Sequence, residues 1–437
     1  WLTLGRMRLW ALAVLAASAG GLIYLVATSD GLIDYQGRPL GTDFSNVYAA
    51  GTYVLDGQPA AAFDPRLQHA REQAIFGTST PFYGWHYPPF FLGVAAALAL
   101  LPYQLALIVW QGATLALYLL SIRMIVASGS CAPSPLGGEG RGEGDLNSRS
   151  TAAPRPAGFQ PADLTPMGRG ESSLWLLAAL AFPAVFVNLG HGHNGFLTAA
   201  LLGFALVQLD RRPILAGILF GLLAYKPQFG LMIPLVLIAT GRWRTVFAAA
   251  ATVALLVLAA TLAFGIDTWR AFFTFAEYTR TIVLETGETG WHKIQSVFSW
   301  TRMWGVSVPL AYGIQGAVTL AIAAALIWLW RSPASFALKA AALCLAAILA
   351  TPYSLDYDLM VLAPAIAFLA VAGLARGFAP YEKSALAFLW IAPVIARGFA
   401  EMTLIPLGVI AMLVMLAIVL HKAKGAPRPA PVPAAAQ

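Results

Sequence analysis

Apolar runs of roughly 20 residues recur from one end of this chain to the other, and they limit its fold more than any motif does. A helix of that length spans the ~30 Å hydrocarbon core and satisfies its own backbone hydrogen bonds, as any segment crossing lipid must. The alternating pattern of a membrane β-barrel is absent. Composition agrees: 59% of the 437 residues are hydrophobic and 11% charged, with mean hydropathy +0.71. The expected fold class is an all-α polytopic membrane protein, a helical bundle of about twelve transmembrane helices with two larger extracytoplasmic loops. The net charge of +7 sits mainly in short loops and the tail, which reads as positive-inside topology and excludes nucleic acid as the partner it implies. Cys131 and Cys344 lie in a low-complexity segment and an apolar run, so neither a disulfide framework nor a cysteine metal site is expected.

Arg6 and Arg8 precede the first run, 9–27. Ala17-Ser18-Ala19 resembles a cleavage site, but the run continues past it, so an uncleaved signal anchor is expected. The first extracytoplasmic loop, 29–88, carries Asp30, Asp34, Asp43, Asp56, Asp64 and Glu72 against Arg38, Arg66 and Arg71. Within it, 61–76 is expected to lie as a helix on the membrane surface. The loop closes with Tyr83-Gly84-Trp85-His86-Tyr87-Pro88-Pro89, read as an interfacial aromatic belt. The run 90–101 is too short for an upright span, and 105–127 is long enough. Residues 128–172 are rich in Gly, Pro, Ser and Arg and are expected to be a disordered insertion. Further apolar segments cover 174–189, 196–209, 214–225, 229–239 and 245–265. The second extracytoplasmic loop, 266–307, follows. Segments 308–330, 336–350, 359–374, 384–396 and 403–420 complete the bundle before a flexible cytoplasmic tail, 425–437. The whole of 1–437 is read as one integral membrane domain.

By this parity the ionisable and amide groups gather on the outer side: Asp43, His86, His191, His193, Asn194, Lys226, Gln228, His292, Lys293, Gln295, Arg302 and Asp356. Such groups are costly in or at a bilayer, and they point to a hydrophilic site opening away from the cytoplasm. Each has a plainer reading. Asp43 suits the N-cap of a helix starting at Phe44, Lys226 the snorkelling end of a half-helix, and His86 aromatic packing. His191-Gly192-His193 is weak as a zinc pair without a neighbouring Cys or carboxylate. Asp356-Tyr357-Asp358 is formally a D-x-D, which binds a divalent cation in nucleotide-sugar enzymes. Taken together, a carboxylate base beside Lys, Arg and His suits displacement of a phosphate leaving group: the base takes a hydroxyl proton while cations stabilise the departing phosphate. Neither G-x-S-x-G nor a Walker motif is present.

The chain resembles glycosyltransferase family 87, the polyprenyl-phosphate-mannose-dependent mannosyltransferases of the GT-C membrane fold. The resemblance rests on Gly41-Thr42-Asp43-Phe44 with Tyr48 and Gly51, on His86-Tyr87-Pro88-Pro89-Phe90, and on 188–194. It continues through Ala216-Gly217, Tyr225-Lys226-Pro227, Gln295-Ser296 with Arg302, and 352–358. It implies inverting transfer of mannose from a polyprenyl phosphate to a lipid or glycan acceptor at the extracytoplasmic face, in a bacterial plasma membrane. Asp43 is then the base, and His86, Tyr87, His191, His193, Asn194, Lys226, Gln228, His292, Gln295, Arg302 and Asp356 line the substrate site. No cofactor is implied, with a divalent metal left open. Gly190-His191 stands where the family has Gly-Gln, and Ser354-Leu355-Asp356-Tyr357 replaces its Ser-Trp-Asp-His-like motif, which leaves room for another sugar. A multi-span secondary transporter, or a lipid-linked glycan polymerase or ligase, are the competing readings; inverted repeats would favour the transporter.

Overall fold

The structure is a computed structural model that describes residues 3–129 and 169–425. Most of the expected insertion 128–172, with Cys131, lies outside the described residues, as does the tail from 426. Its edges at 128–129 and 169–172 are helical. The described residues form helices, with isolated β-bridges and no strands. The first helix, α1 (Leu4–Ala27), is followed by a loop layer of α2 (Phe44–Leu55) and α3 (Pro65–Phe76), then the short α4 (Leu92–Ala99) and the long α5 (Tyr103–Gly129). Next come α6 (Arg169–Leu180), α7 (Pro183–His191), α8 (Gly195–Gln208), α9 (Pro213–Leu222), α10 (Met232–Ala239) and α11 (Trp243–Phe264). A second loop layer holds α12 (Ile266–Tyr278) and α13 (Val297–Met303). The bundle ends with α14 (Val308–Arg331), α15 (Phe336–Leu349), α16 (Leu362–Arg376), α17 (Glu382–Thr403) and α18 (Leu407–Lys424).

Among the described residues, seven helical segments are long and apolar enough to cross a membrane, so the chain is an integral multi-pass membrane protein. They are α1, α5, α11, α14, the stretch Asp356–Arg376 that contains α16, α17 and α18. The α6–α7 pair, bent by 44°, makes an eighth if it is one broken span. This is fewer than the roughly twelve expected from runs of spanning length, because several apolar runs fold as shorter pieces: α8 and α15 have 14 residues, α9 has 10 and α10 has 8. Fourteen residues rise about 21 Å, short of the ~30 Å core. Every residue from Ala340 to Leu349 in α15 is buried, against α14, α16, α18 and α10. An apolar run signals protein core as readily as it signals lipid.

The two ends of the bundle differ in charge. At one end Arg242 pairs with Asp210, Arg331 Nε donates to the Ala239 carbonyl at 2.9 Å, and Lys422 pairs with Glu382 at 2.8 Å. The two loop layers lie at the other end. There the expected surface helix begins at Pro65, because Asp64 caps it, accepting from Arg66 and Leu67 N–H. The face of α2 that carries Phe44, Val47 and Gly51 packs on α4. A Cβ at Gly51 would come within 2.2 Å of the Ala95 carbonyl oxygen, so this approach requires glycine. The aromatic segment before α4 is not the interfacial belt read from sequence. Trp85 and Tyr87 are buried among other side chains, Trp85 stacked on Phe91 and Tyr87 tilted against it and bonded to His193.

Candidate functional site

Asp43 stands where a tight turn meets α2. Gly41 has φ +69°, and its carbonyl accepts the Phe44 N–H at 2.6 Å. The position is that of an N-cap, yet Asp43 has helical φ and ψ and its side chain makes no capping bond. The backbone explains this: the Asp43 N–H donates to the His191 carbonyl at 3.0 Å, which ties the turn to the end of α7. Thr42 Oγ1 lies 2.9 Å from His191 Nδ1, and Asp43 Oδ2 lies 3.7 Å from the same nitrogen. Gly192, at φ +61°, permits the contact, since a Cβ there would sit 2.6 Å from Phe44 Cβ. The carboxylate remains 21% exposed and open to a ligand. Its enclosed setting raises its pKa above the ordinary value; His191 pulls it down, Asp356 pushes it up, and Lys226 and Lys293 pull it down.

The α7–α8 break is held by Asn188, fully buried. Its Nδ2 donates to Gln111 Oε1 at 3.1 Å and to the His193 carbonyl at 3.0 Å, and its Oδ1 accepts the Gly195 N–H at 2.7 Å. The two histidines of the break diverge. His191 faces Asp43, whereas His193 Nε2 is 2.9 Å from the Tyr87 hydroxyl and its ring stacks on Tyr357 at 3.5 Å. The buried Asn194 gives its carbonyl to Thr198 Oγ1 at 3.1 Å.

Lys226 occupies the break between α9 and α10, only 3% exposed, in an ion pair with Asp358 and 5.3 Å above the Tyr357 ring. Gln228 is half-buried two residues on. The turn that supplies Asp356 and Asp358 is pinned to the second loop layer: Ile294 bridges Leu355, and the Gln295 N–H donates to the Ser354 carbonyl at 2.6 Å. Asp358 turns to Lys226 and also accepts the Leu355 N–H at 3.0 Å, while Asp356 turns to Arg397 of α17 at 3.4 Å. The two carboxylates of the D-x-D therefore face different cations. Among the described residues, no group of three or more His, Cys, Asp or Glu side chains is placed to hold a metal ion.

His86 Nδ1 lies 2.9 Å from Thr279 Oγ1 and the ring packs on Phe275; burial pushes its pKa down to about 4, so it is neutral at pH 7. His292 is half-buried and likewise shifted down by burial, with Glu401 opposing the shift and Arg397 adding to it. Gln295 is buried against Gly408 of α18, where a Cβ would meet its Oε1 at 2.3 Å. Arg302 is taken up by its own loop layer, donating to the Val306 carbonyl at 2.5 Å and the Glu285 carbonyl at 3.0 Å, with Trp291 at 4.6 Å. Lys293 shares the charge cluster instead. Its pKa is lowered by burial and by Arg397, while Asp356 and Asp43 raise it. Arg397 is the cation that the sequence reading missed. The segment 384–396 stops just before it, but α17 runs on to Thr403 and Arg397, 39% exposed, turns to Asp356. An arginine between Ile395-Ala396 and Gly398-Phe399-Ala400 was the available signal.

A family model described as glycosyltransferase family 87 matches residues 85–352. That range takes in His86 to Arg302 and leaves Asp43, Asp356 and Arg397 outside it. No curated protein and no solved structure matches the chain.

Proposed function

The chain belongs to glycosyltransferase family 87 and is a glycosyltransferase, and we propose that it moves a hexose, with mannose the favoured sugar, from a polyprenyl phosphate to a lipid or glycan hydroxyl. The reaction runs at the extracytoplasmic end of a GT-C type bundle in a bacterial plasma membrane. The charge difference between the bundle ends supports that orientation, since cytoplasmic ends carry the arginine and lysine excess.

In the proposed step, Asp43 takes the proton from the acceptor hydroxyl as that oxygen bonds to the anomeric carbon. The bond from that carbon to the phosphate oxygen breaks, its electron pair leaves with the polyprenyl phosphate, and the anomeric configuration inverts. Lys293 and Arg397 stabilise the leaving phosphate, because both are partly exposed cations of the cluster. Lys226, spent on Asp358, acts from beneath as a positioning residue. His191 orients Asp43, and the neutral His86 and His292 offer hydrogen bonds to sugar hydroxyls.

One observation carries the reading: Asp43 sits at a helix N-terminus without capping it, so its partly exposed carboxylate is left beside His191 and within electrostatic reach of Lys293. The test is a donor screen with the purified protein in lipid, supplied with a panel of polyprenyl-phosphate sugars and read by product mass. Turnover of a polyprenyl-phosphate hexose, lost in Asp43→Asn, is expected. Turnover of none of the panel refutes the donor class, and an Asn variant with near-normal activity refutes the base.

A further inference from the structure

Beside the charge cluster, a cleft of about 260 Å³ opens between the second loop layer and the end of α17. Its walls include Trp291, Met303, Ala400 and Leu404, and its polar side is His292 and Glu401. The volume falls just below the ~300–1,000 Å³ of sites for drug-sized ligands, which suits a short segment. Arg397, Ala400 and Glu401 follow at helical spacing, so one face of α17 carries the exposed cation first and the cleft wall after it, with Leu404 adding to the wall just past the helix end.

The charges around the cleft are ordered. Asp43 interacts with Asp356 and Lys293, Lys293 with Arg397, and His292 at the cleft with Arg397 and Glu401. An inverting displacement puts the attacking oxygen and the leaving group on opposite sides of the anomeric carbon. With the base at Asp43, the leaving phosphate belongs at Lys293 and Arg397, and whatever is attached to it continues toward the cleft. The mouth fits a lipid chain. Trp291, Met303 and Leu404 present apolar side chains to it, and the exposed Trp304 donates from Nε1 to the Leu404 carbonyl at 3.0 Å, which holds α13 against the α17–α18 turn. We propose that this cleft receives the isoprene units of the donor lipid that adjoin its phosphate, an assignment that rests on the polyprenyl-phosphate reading above. Glu401, exposed at the rim one helical turn beyond Arg397, is the one acidic group of the lining.

The test uses the full chain in lipid nanodiscs with farnesyl phosphate, which carries no sugar, as the probe. Met303→Trp fills the cleft. Leu404→Asn makes its wall polar while tolerating the positive φ of 59° at that position, and serves where the tryptophan variant does not fold. Each is expected to weaken farnesyl phosphate binding about tenfold, or about 1.4 kcal/mol, to leave inorganic phosphate binding unchanged, and to raise donor KM with acceptor KM unaltered. Unchanged farnesyl phosphate binding in the folded variants, or a rise in acceptor KM alone, overturns the assignment. The two readings fail separately. Cleft-dependent farnesyl phosphate binding without turnover of any polyprenyl-phosphate sugar refutes the transfer reaction, whereas turnover with donor KM untouched in the variants refutes the cleft.

Discussion

Lys226 is the natural phosphate-binding candidate by sequence, but its ammonium is buried against Asp358, and replacing the two together separates structure from chemistry. Lys226→Met leaves the Asp358 carboxylate, 2% exposed, without its cation. Removing one partner of a buried pair costs about 3–5 kcal/mol, because the remaining charge is desolvated and unpaired. Asp358→Asn strands the ammonium at similar cost, although Asn can still accept the Leu355 N–H that Asp358 accepts at 3.0 Å. In Lys226→Met/Asp358→Asn both charges are gone, and the methionine lies among Tyr357 and Phe229, rings that now lie 5.3 and 5.7 Å from the ammonium. The double variant should therefore cost only about 1–2 kcal/mol, a non-additivity of at least ~4 kcal/mol. Denaturant unfolding in detergent measures the cycle, and initial rates of sugar transfer on the folded variants add the functional readout. Additive costs would refute the buried-pair argument. A stable double variant with transfer reduced more than about a hundredfold would refute the positioning role and return Lys226 to the phosphate, since losses of that size mark a missing transition-state contact.

Other expectations follow from the same geometry. Asp43→Asn should lower kcat by about 10²–10⁴-fold with unfolding unchanged, because the main chain rather than the side chain holds that turn. With Asp43 raised by its enclosed setting, the acid limb of kcat/KM in the unaltered protein should lie above the ~4 of an ordinary aspartate; a limb at or below 4 would contradict the enclosure. Arg397→Ala should lose about a hundredfold in kcat, with Arg397→Lys recovering part, and unchanged kinetics would remove it from the phosphate site. Glu72, fully buried in α3, accepts the Tyr83 N–H at 3.0 Å, and burial pushes its pKa up from 4.5 to about 8. Between those values the unfolded chain releases the proton and the folded one keeps it, so stability falls as pH rises. Glu72→Gln removes that fall and should gain about 3 kcal/mol at pH 7 as an upper bound, its remaining carbonyl oxygen still able to accept the Tyr83 N–H. Unfolding midpoints at pH 5 and pH 8 check it, and equal shifts at both would contradict the titration.

The membrane class was legible because apolar runs of spanning length have few other uses. The count of spans was not, since the α15 run is as apolar as α14 and its neighbours are protein rather than lipid. The polar stations were legible as a set because breaks such as Asn188–Asn194 and Tyr225-Lys226-Pro227 interrupt apolar runs with groups that lipid does not tolerate. Their pairing was hidden. Nothing local in sequence says that Lys226 meets Asp358, 132 residues away, or that Arg302 is consumed by the carbonyls of Val306 and Glu285. Arg397 was lost because a charge near a helix end reads as a boundary, whereas here the helix runs past it.

The main-chain bond between Asp43 and His191 has a consequence for altering this protein. Position 43 works as a socket: the turn is fastened by a peptide N–H and by Gly192, both indifferent to which side chain the residue carries. Glutamate placed there would advance its carboxylate by one methylene from a stationary backbone. On the proposed reading of Asp43 as base, the acceptors that the Asp43→Glu variant accepts should shift with that reach, while the scaffold that presents the residue stays as it is.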